Sequence, residues 1–199
     1  PRLVAEALGS ADYHPQAMLA ALYQGVARAA GAQQAGDKSP NDLNFLRMLG
    51  KVGGLSGRSV ILHIVRDIRD VMVSLEKTGW ATDLDLYFPR SWCAHNLYLH
   101  ALFAGEQSRY LLIRYEDLTR NPAEELARAC RLLGVEFTPA MLLPENRHER
   151  YRGQGEVHAN LYQPIGTASV GRYRALLDPQ RIAGYESQAR EALTAFGYD

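Results

Sequence analysis

Two short apolar runs constrain the fold of this chain more than any other feature. They occupy residues 59–65 and 110–115, and neither shows a clean alternation of apolar and polar side chains. Runs of this kind are typical of strands that are covered on both faces in a parallel sheet. Helical patterns flank them at residues 15–30, 41–50, 67–78, 91–107, 122–133 and 179–196. Strands that alternate with helices predict an α/β fold with a parallel sheet.

Length and charge limit the possible partners. The 199 residues suit one domain with a single core, and we expect one domain over residues 1–199. Lys plus Arg and Asp plus Glu each number 22, so the formal net charge is zero. Nucleic acid is therefore not an expected partner, and any anion site must be a local cluster of cations. No run of about 18 apolar residues predicts a membrane span.

The cysteine content is low. Cys93 and Cys130 are the only two cysteines in the sequence, which are too few for a disulfide framework or a set of metal ligands. Cys130 lies in an apolar helical stretch, so we expect a buried free thiol there. Free cysteines favour a reducing compartment, and we expect the protein to be cytoplasmic.

The most informative position is the residue that follows the first apolar run. Arg66 comes directly after that run, and a helical pattern begins within a few residues. Ligands of open α/β sheets bind beyond the carboxyl ends of the strands, where a guanidinium can hold a phosphate through two parallel hydrogen bonds. Ser74 lies about two helical turns further on and could donate to the same anion. The alternative is a surface Arg–Asp pair at a strand end, with Ser74 as an ordinary helix residue.

Residues 66–74, RDIRDVMVS, resemble the 3′-phosphate-binding motif of sulfotransferases that use 3′-phosphoadenosine 5′-phosphosulfate (PAPS). In that family the strand-end Arg and the helix Ser hold the 3′-phosphate, so the resemblance implies this role for Arg66 and Ser74. Residues 36–41, GDKSPN, resemble a segment of the bacterial and Golgi-type members. There a Lys two residues before a Pro reaches the transferring sulfuryl group or the leaving oxygen, which implies a catalytic role for Lys38.

The second half of the chain extends the resemblance. Residues 114–118, RYEDL, are similar to a segment common to the same families, and we interpret Tyr115 and Glu116 as architectural. Residues 158–174 resemble the C-terminal part, where a loop and basic side chains approach the 3′-phosphate. This implies that Ser169, Arg172 and Arg174 bind the nucleotide, although the family commonly has Trp at the position of Tyr173. The implied fold is a P-loop-NTPase-like three-layer sandwich, with helices flanking a central parallel sheet.

The beginning of the sequence departs from the family pattern. The family has a phosphate loop that reads roughly Pro-Arg-Ser-Gly-Thr between its first strand and helix, and this loop is not intact here. We interpret residues 1–2 as the start of that loop and residues 3–9 as the following helix, with a chain break between them. Transfer needs a base for the acceptor's proton. The cytosolic members have a His where this chain has Pro40, and the nearest remaining groups are His14 and Glu6.

Residues 144–171 show little periodicity, and we expect a lid or substrate loop there. The resemblance implies transfer of a sulfuryl group from PAPS to a hydroxyl or amine, with release of PAP and no metal. The acceptor stays open among a small molecule, a glycan, a polyketide and a peptide tyrosine, as does the oligomeric state. Two alternatives are a kinase-like phosphotransferase, whose Gly-x-x-x-x-Gly-Lys-Ser/Thr motif is absent, and a non-catalytic remnant of the fold.

Overall fold

The computed structural model describes residues 15–38, 59–78, 84–103, 105–146 and 163–198. The chain divides into two compact units, Pro1–Ser59 and Val60–Asp199. The expectation of a single domain stays a prediction. The sequence predictions for the phosphate-loop remnant, for His14, Glu6 and Pro40, and for a helix over residues 41–50 lie outside the described residues.

The described part of the first unit consists of one helix and the segment that follows it. Helix α1 (Pro15–Ala29) ends one residue before the predicted boundary. Gly31 follows with a φ of 62°, a left-handed conformation that glycine adopts without steric cost and that ends helices. The rest of this stretch forms neither helix nor strand, and it ends at Lys38, which is exposed.

Two parallel strands form the sheet of the second unit. Strand β1 (Ile61–Val65) pairs with β2 (Tyr110–Arg114), and Val65 lies opposite Arg114 at the carboxyl ends. The predicted α/β arrangement with a parallel sheet is confirmed. The expectation that both faces are covered is wrong for β1, because its burial alternates and Ile64 on the outer face is 54% exposed.

Helices make up more than half of the described residues of the second unit. Their bounds are α2 (Ile68–Thr78), α3 (Leu84–Phe103), α4 (Tyr115–Arg120), α5 (Pro122–Leu133), α6 (Tyr173–Leu176) and α7 (Pro179–Ala195). Short 3₁₀ turns lie at Pro139–Leu142 and Pro144–Asn146. In this described part of the chain, no helix is long and apolar enough to cross a membrane.

Local sequence explains most helix ends. Helix α5 begins with Pro122 and ends at Gly134, whose φ is 68°, as the sequence predicts. Helix α7 begins after Asp178, whose carboxylate accepts the N–H of Arg181 at 2.9 Å. Helix α3 begins at Leu84 instead of residue 91. Pro89 lies inside the helix with its side chain fully buried, and this burial offsets the lost backbone hydrogen bond.

The apolar core lies between the inner face of β1 and three helices. Helices α3 and α7 pack against each other, and α2 packs against both. The core side chains include Val65, Ile68, Met72, Trp92, Leu193 and Phe196. Cys130 is a buried free thiol, as predicted, and its Sγ lies 3.8 Å from Sδ of Met141.

A chain of buried hydrogen bonds crosses this core from β1 to α3. Nδ1 of His100 lies 3.1 Å from the Tyr110 hydroxyl, which lies 2.8 Å from Nδ1 of His63. Nε2 of His63 lies 2.8 Å from Oδ1 of Asn96, whose amide donates to the Trp92 carbonyl at 2.7 Å. All donors and acceptors match if His100 donates to Tyr110, Tyr110 to His63 and His63 to Asn96. This direction requires a neutral His63.

Candidate anion-binding site

The carboxyl ends of the two strands bring three functional groups together. Arg66 follows the last residue of β1, and Tyr115 is the first residue of α4, directly after β2. Sequence analysis extended the second strand to Tyr115, but the helix begins there. Because parallel strands end at the same edge, Arg66 and Tyr115 become neighbours, and the guanidinium carbon lies 4.6 Å from the centre of the Tyr115 ring.

Ser169 completes this group, which we call the open corner: Arg66, Tyr115 and Ser169. Nη2 of Arg66 donates to the Ser169 carbonyl at 2.8 Å, and the Ser169 hydroxyl shares a 2.6 Å hydrogen bond with that of Tyr115. Arg66 and Ser169 are 103 positions apart in sequence. Two of the predicted nucleotide-binding residues are therefore in direct contact.

Arg66 keeps unused donor capacity. Its Nε is buried and has no hydrogen-bond partner in the part of the chain that the structure describes. A guanidinium carries five N–H donors, and a buried donor without a partner costs about 1–3 kcal/mol. Across those same residues, Arg66 forms no ion pair with a carboxylate. A cation with free donors at a strand end fits an anionic ligand such as a phosphate.

A second group, the paired corner, comprises Asp67, Arg69, Glu186 and Tyr198. Arg69 binds the Asp67 carboxylate at 2.8 Å and the Glu186 carboxylate at 2.6 Å, and it donates to the Tyr198 carbonyl at 2.6 Å. Burial alone lowers the pKa of Arg69, but the hydrogen bonds and charges of the two carboxylates outweigh burial and raise it. Asp67 thus pairs with Arg69, and no Arg66–Asp ion pair occurs among the described residues.

Glu116 joins the strand end to the C-terminal segment. Its Oε1 accepts the backbone N–H of Asp67 at 3.0 Å, and its Oε2 accepts the hydroxyl of Tyr198 at 2.7 Å. Burial and this carboxylate both raise the pKa of Tyr198, so its hydroxyl stays a donor. These contacts agree with the architectural interpretation of Glu116. Tyr115, which sequence analysis treated in the same way, lies in the open corner.

Asp70 holds the backbone of the loop that carries Ser169. One carboxylate oxygen accepts the N–H of Gly171 at 2.5 Å, and the other accepts the N–H of Tyr173 at 3.0 Å. Asp70 is 1% exposed and lies in the first turn of α2. Gly171 has a φ of 73°, which lets the chain turn so that both N–H groups reach one carboxylate. Sequence analysis assigned no role to Asp70.

Three of the other predicted residues belong to the second unit, and one belongs to the first. Ser74 is half-buried on α2, and no hydrogen bond of its hydroxyl occurs within the described ranges. Arg172 is half-buried beside Gly171, and Arg174 is exposed, with its guanidinium 4.6 Å from the Tyr173 ring centre. Lys38 belongs to the first unit. The structure thus brings Arg66 and Ser169 into contact, and within the described part of the second unit no hydrogen bond joins Ser74, Arg172 or Arg174 to this pair.

Sequence reasoning missed Tyr115 as a member of the open corner and Asp70 as the group that holds the loop. A signal for Asp70 existed, because it lies four residues after Arg66, in the first turn of the helix that follows. Nothing local identified its partners, which are more than 100 positions away. Within the described ranges, no group of three His, Cys, Asp or Glu side chains is arranged to hold a metal ion.

Comparison with known proteins gives a family match and structural relatives. The model of the sulfotransferase family matches residues 4–139. Carbohydrate sulfotransferase 4 of Mus musculus is 28% identical over 94 residues, which cover 46% of this chain and 24% of that protein. The chain therefore spans about a quarter of this curated relative's length.

Two solved structures share the fold. The sulfotransferase domain from the curacin biosynthetic pathway has a TM-score of 0.63 at 20% identity, covering 87% of this chain and 66% of that one. The sulfotransferase domain from the Synechococcus PCC 7002 olefin synthase has a TM-score of 0.62 at 24% identity, covering 94% of this chain and 74% of that one. These likenesses confirm the predicted P-loop-like α/β fold.

Proposed function

The chain belongs to the sulfotransferase family, and we propose on this basis that it transfers a sulfuryl group from PAPS to a hydroxyl or amine of an acceptor and releases PAP. In this reaction the acceptor atom forms a bond to sulfur, while the bond between sulfur and the phosphate oxygen of PAPS breaks. The acceptor's proton passes to a base, and negative charge develops on the leaving oxygen. Positioned cations stabilise such charge, and no metal is needed in this proposal.

The unpartnered Nε of Arg66 is the observation that carries the proposal. PAP bears a 3′-phosphate, and Arg66 offers a buried donor and an uncompensated charge at the edge where α/β sheets bind ligands. The Ser169 carbonyl and the Tyr115 ring already hold the guanidinium in one orientation, so it loses little freedom when an anion binds. In this proposal Arg66 and Ser74 bind the 3′-phosphate, with Ser169, Arg172 and Arg174 around it.

We assign the catalytic role to Lys38, on the resemblance of its segment to that of the bacterial and Golgi-type members. Its ammonium group would stabilise the charge that develops on the leaving oxygen, which strengthens the interaction in the transition state. The Lys38→Ala variant should then lose kcat while its PAP affinity changes little. Steady-state kinetics test this, and an unchanged kcat would return Lys38 to the role of a surface residue.

The acceptor is proposed only as a class. The names of the relatives mention carbohydrate, the curacin pathway and an olefin synthase, so a glycan, a polyketide or another small molecule is the proposed acceptor. The cytoplasmic location stays a prediction, and so does the absence of a nucleic-acid partner. No oligomeric state is proposed.

Thermal denaturation with PAP, ATP and AMP tests the nucleotide. A sulfotransferase site should be stabilised by PAP well beyond ATP or AMP, because only PAP carries the 3′-phosphate. Transfer of radioactive sulfate from labelled PAPS to a panel of glycans and polyketides then tests the reaction. Equal stabilisation by ATP would favour a phosphotransferase, and no stabilisation by any nucleotide would favour a non-catalytic module.

A further inference from the structure

We propose that Asp70 is a positioning residue for the anion site, because its carboxylate anchors the loop whose Ser169 carbonyl orients Arg66. This inference rests on the proposed function, since it concerns the site that would hold the 3′-phosphate. Asp70 is one of the most deeply buried polar side chains of the second unit, at 1% exposure. Within the described ranges it forms no ion pair.

Backbone N–H groups of a distant loop satisfy the buried carboxylate of Asp70. A buried carboxylate without a cation needs hydrogen-bond donors, and those that Asp70 has are the backbone N–H groups of Gly171 and Tyr173. Both bonds cross more than 100 positions of sequence, so they join the loop directly to the first turn of α2. If the loop moved away from α2, the N–H groups of Gly171 and Tyr173 would lose their acceptor, and the buried carboxylate of Asp70 would lose both of its donors.

The loop that Asp70 anchors also contacts Arg66. Ser169 lies two residues before Gly171, and its carbonyl accepts from Nη2 of Arg66 at 2.8 Å. Arg66 lies just before α2 and Asp70 lies in its first turn, so residues 66–70 contact both ends of the short segment 169–173. Hydrogen bonds from Arg66 at one end and Asp70 at the other thus join residues 66–70 to the segment 169–173. Asp70 therefore acts on the direction of the guanidinium without touching a ligand.

The negative charge of Asp70 makes the proposal testable by the direction in which PAP affinity changes when that charge is removed. A negative charge four residues from Arg66 in sequence opposes the binding of an anion there, so its removal should by itself strengthen binding. Loss of the anchor should weaken binding, because the loop and Arg66 must then be ordered when the ligand binds. Positioning and simple electrostatics thus predict opposite changes in affinity for Asp70→Asn, which keeps the shape of the side chain and one acceptor oxygen.

The experiment measures PAP affinity by calorimetric titration and amide hydrogen exchange over residues 169–173. For Asp70→Asn we expect a dissociation constant roughly tenfold higher than that of the wild type, together with faster exchange in this segment. Asp178→Asn is the matched control, because Asp178 also accepts a backbone N–H but lies at the start of α7. It should leave PAP affinity unchanged.

A second variant perturbs the loop without removing the charge. Gly171→Ala disfavours the left-handed backbone at φ 73°, and we expect it to weaken PAP binding as Asp70→Asn does. Its added Cβ would also lie 2.7 Å from Nη1 of Arg174, so Arg174→Ala is measured beside it to separate a displaced Arg174 from a displaced loop. Gly184→Ala in α7 is its control, since an added methyl there meets no atom within 4 Å. This pair also tests the proposal if Asp70→Asn does not fold.

Different results would overturn the positioning role of Asp70 and the proposed function. Unchanged or tighter PAP binding by a folded Asp70→Asn protein would overturn the positioning role, as would unchanged exchange over residues 169–173. If Asp70→Asn does not fold, unchanged PAP binding by Gly171→Ala would overturn it. A wild-type protein that binds no PAP would instead overturn the proposed function, and this inference with it.

Discussion

The open corner and the paired corner place two arginines of one short motif in opposite situations. Arg69 meets two carboxylates and a backbone carbonyl, so the fold uses its charge and most of its donors. Arg66, three residues earlier, meets one backbone carbonyl and an aromatic ring, and its Nε is buried without a partner in the described part of the chain. A guanidinium that the fold has satisfied contributes to stability, whereas one with unused donors is available to a ligand.

The difference arises from the residues that come directly after each strand. Glu116 fixes the backbone N–H of Asp67, and this brings the Asp67 carboxylate to Arg69 instead of Arg66. Arg66 then lies over Tyr115, which supplies no formal charge. The paired corner should therefore respond to mutation in the free energy of unfolding, and the open corner in ligand affinity.

The largest expected effect is on the stability of the Arg69→Ala variant. Arg69 is 7% exposed, and its removal leaves the buried Asp67 carboxylate without its cation. Breaking a buried pair by removing one partner costs about 3–5 kcal/mol. Urea denaturation should show a loss of this size in the free energy of unfolding. Where the variant is still folded, its PAP affinity should stay close to that of the wild type.

Arg120→Ala is the matched control for that prediction. Arg120 also pairs with a carboxylate, that of Asp117 at 3.2 Å, but its side chain is 59% exposed. Exposed pairs contribute about 0–1 kcal/mol because solvent screens them. If Arg69→Ala were no more destabilising than Arg120→Ala, the paired corner would not be the stabilising element that its contacts indicate.

The Arg66→Ala variant should behave in the opposite way. Loss of charge-assisted hydrogen bonds to a phosphate should weaken PAP binding by about 1.5–3 kcal/mol, a factor of roughly 10 to 150. The free energy of unfolding should fall far less than in Arg69→Ala, because Arg66 gives the fold only one hydrogen bond and one ring contact among the described residues. Calorimetric titration with PAP and urea denaturation measure the two effects.

Arg66→Lys serves as the control for charge. Lysine keeps the charge but cannot form two parallel hydrogen bonds, so its PAP affinity should lie between those of the wild type and Arg66→Ala. Wild-type affinity in both variants would show that the open corner is not the phosphate site.

A smaller effect should appear when pH is lowered, through His63 in the core. Burial lowers the pKa of His63, and the charge of His100 lowers it further, while the hydrogen bond to Asn96 opposes the shift. The unfolded chain therefore binds a proton at this histidine near pH 6.5, and the folded chain does not. Stability is complete above that pH, and it falls as pH drops below it, by at most about 1.4 kcal/mol per pH unit.

Urea denaturation between pH 7.5 and 5.5 measures this slope. Burial raises the pKa of Tyr110 to about 12, so the partner hydroxyl stays protonated over this range. In the His63→Gln variant this side chain cannot titrate, so the free energy of unfolding should fall less steeply with decreasing pH than in the wild type. A slope equal to that of the wild type would mean that His63 is protonated in the folded protein, against the direction of its hydrogen bonds.

Local sequence predicted the end of the strand just before Arg66 and the end of the helix just before Gly134. The first depends on a run of apolar residues that stops at a cation, and the second on a glycine that can adopt a positive φ. The pairing of β1 with β2 also followed, because strands that alternate with helices pair in parallel. The strand end and the helix end are encoded within a few neighbouring residues, whereas the parallel pairing follows from the order of strands and helices along the chain.

The features that sequence analysis missed depend on distant partners or on burial. The anchor between Asp70 and the backbone of Gly171 links residues 101 positions apart, and no local pattern identifies a backbone donor. The start of α3 was placed at residue 91, although the helix begins at Leu84 and contains Pro89. Proline disfavours a helix interior, and the burial of Pro89 is not encoded in the local sequence. Ile64 has the same apolar character as its buried neighbours, so its exposure could not be predicted from composition.

The smallest expected effect sharpens the comparison most, because it separates binding from stability by sign. Ser74 lies within α2, and its hydroxyl has no hydrogen-bond partner in the described part of the fold. Ser74→Ala should therefore leave the free energy of unfolding unchanged or raise it by about 0.5 kcal/mol, since alanine has the higher helix propensity. If the hydroxyl donates to the 3′-phosphate, the same variant should weaken PAP binding by about 0.5–1.5 kcal/mol. Ser187→Ala, on the exposed surface of α7, should show the first effect without the second. Equal PAP affinity in the two variants would remove Ser74 from the phosphate site and leave Arg66 to bind the anion without it.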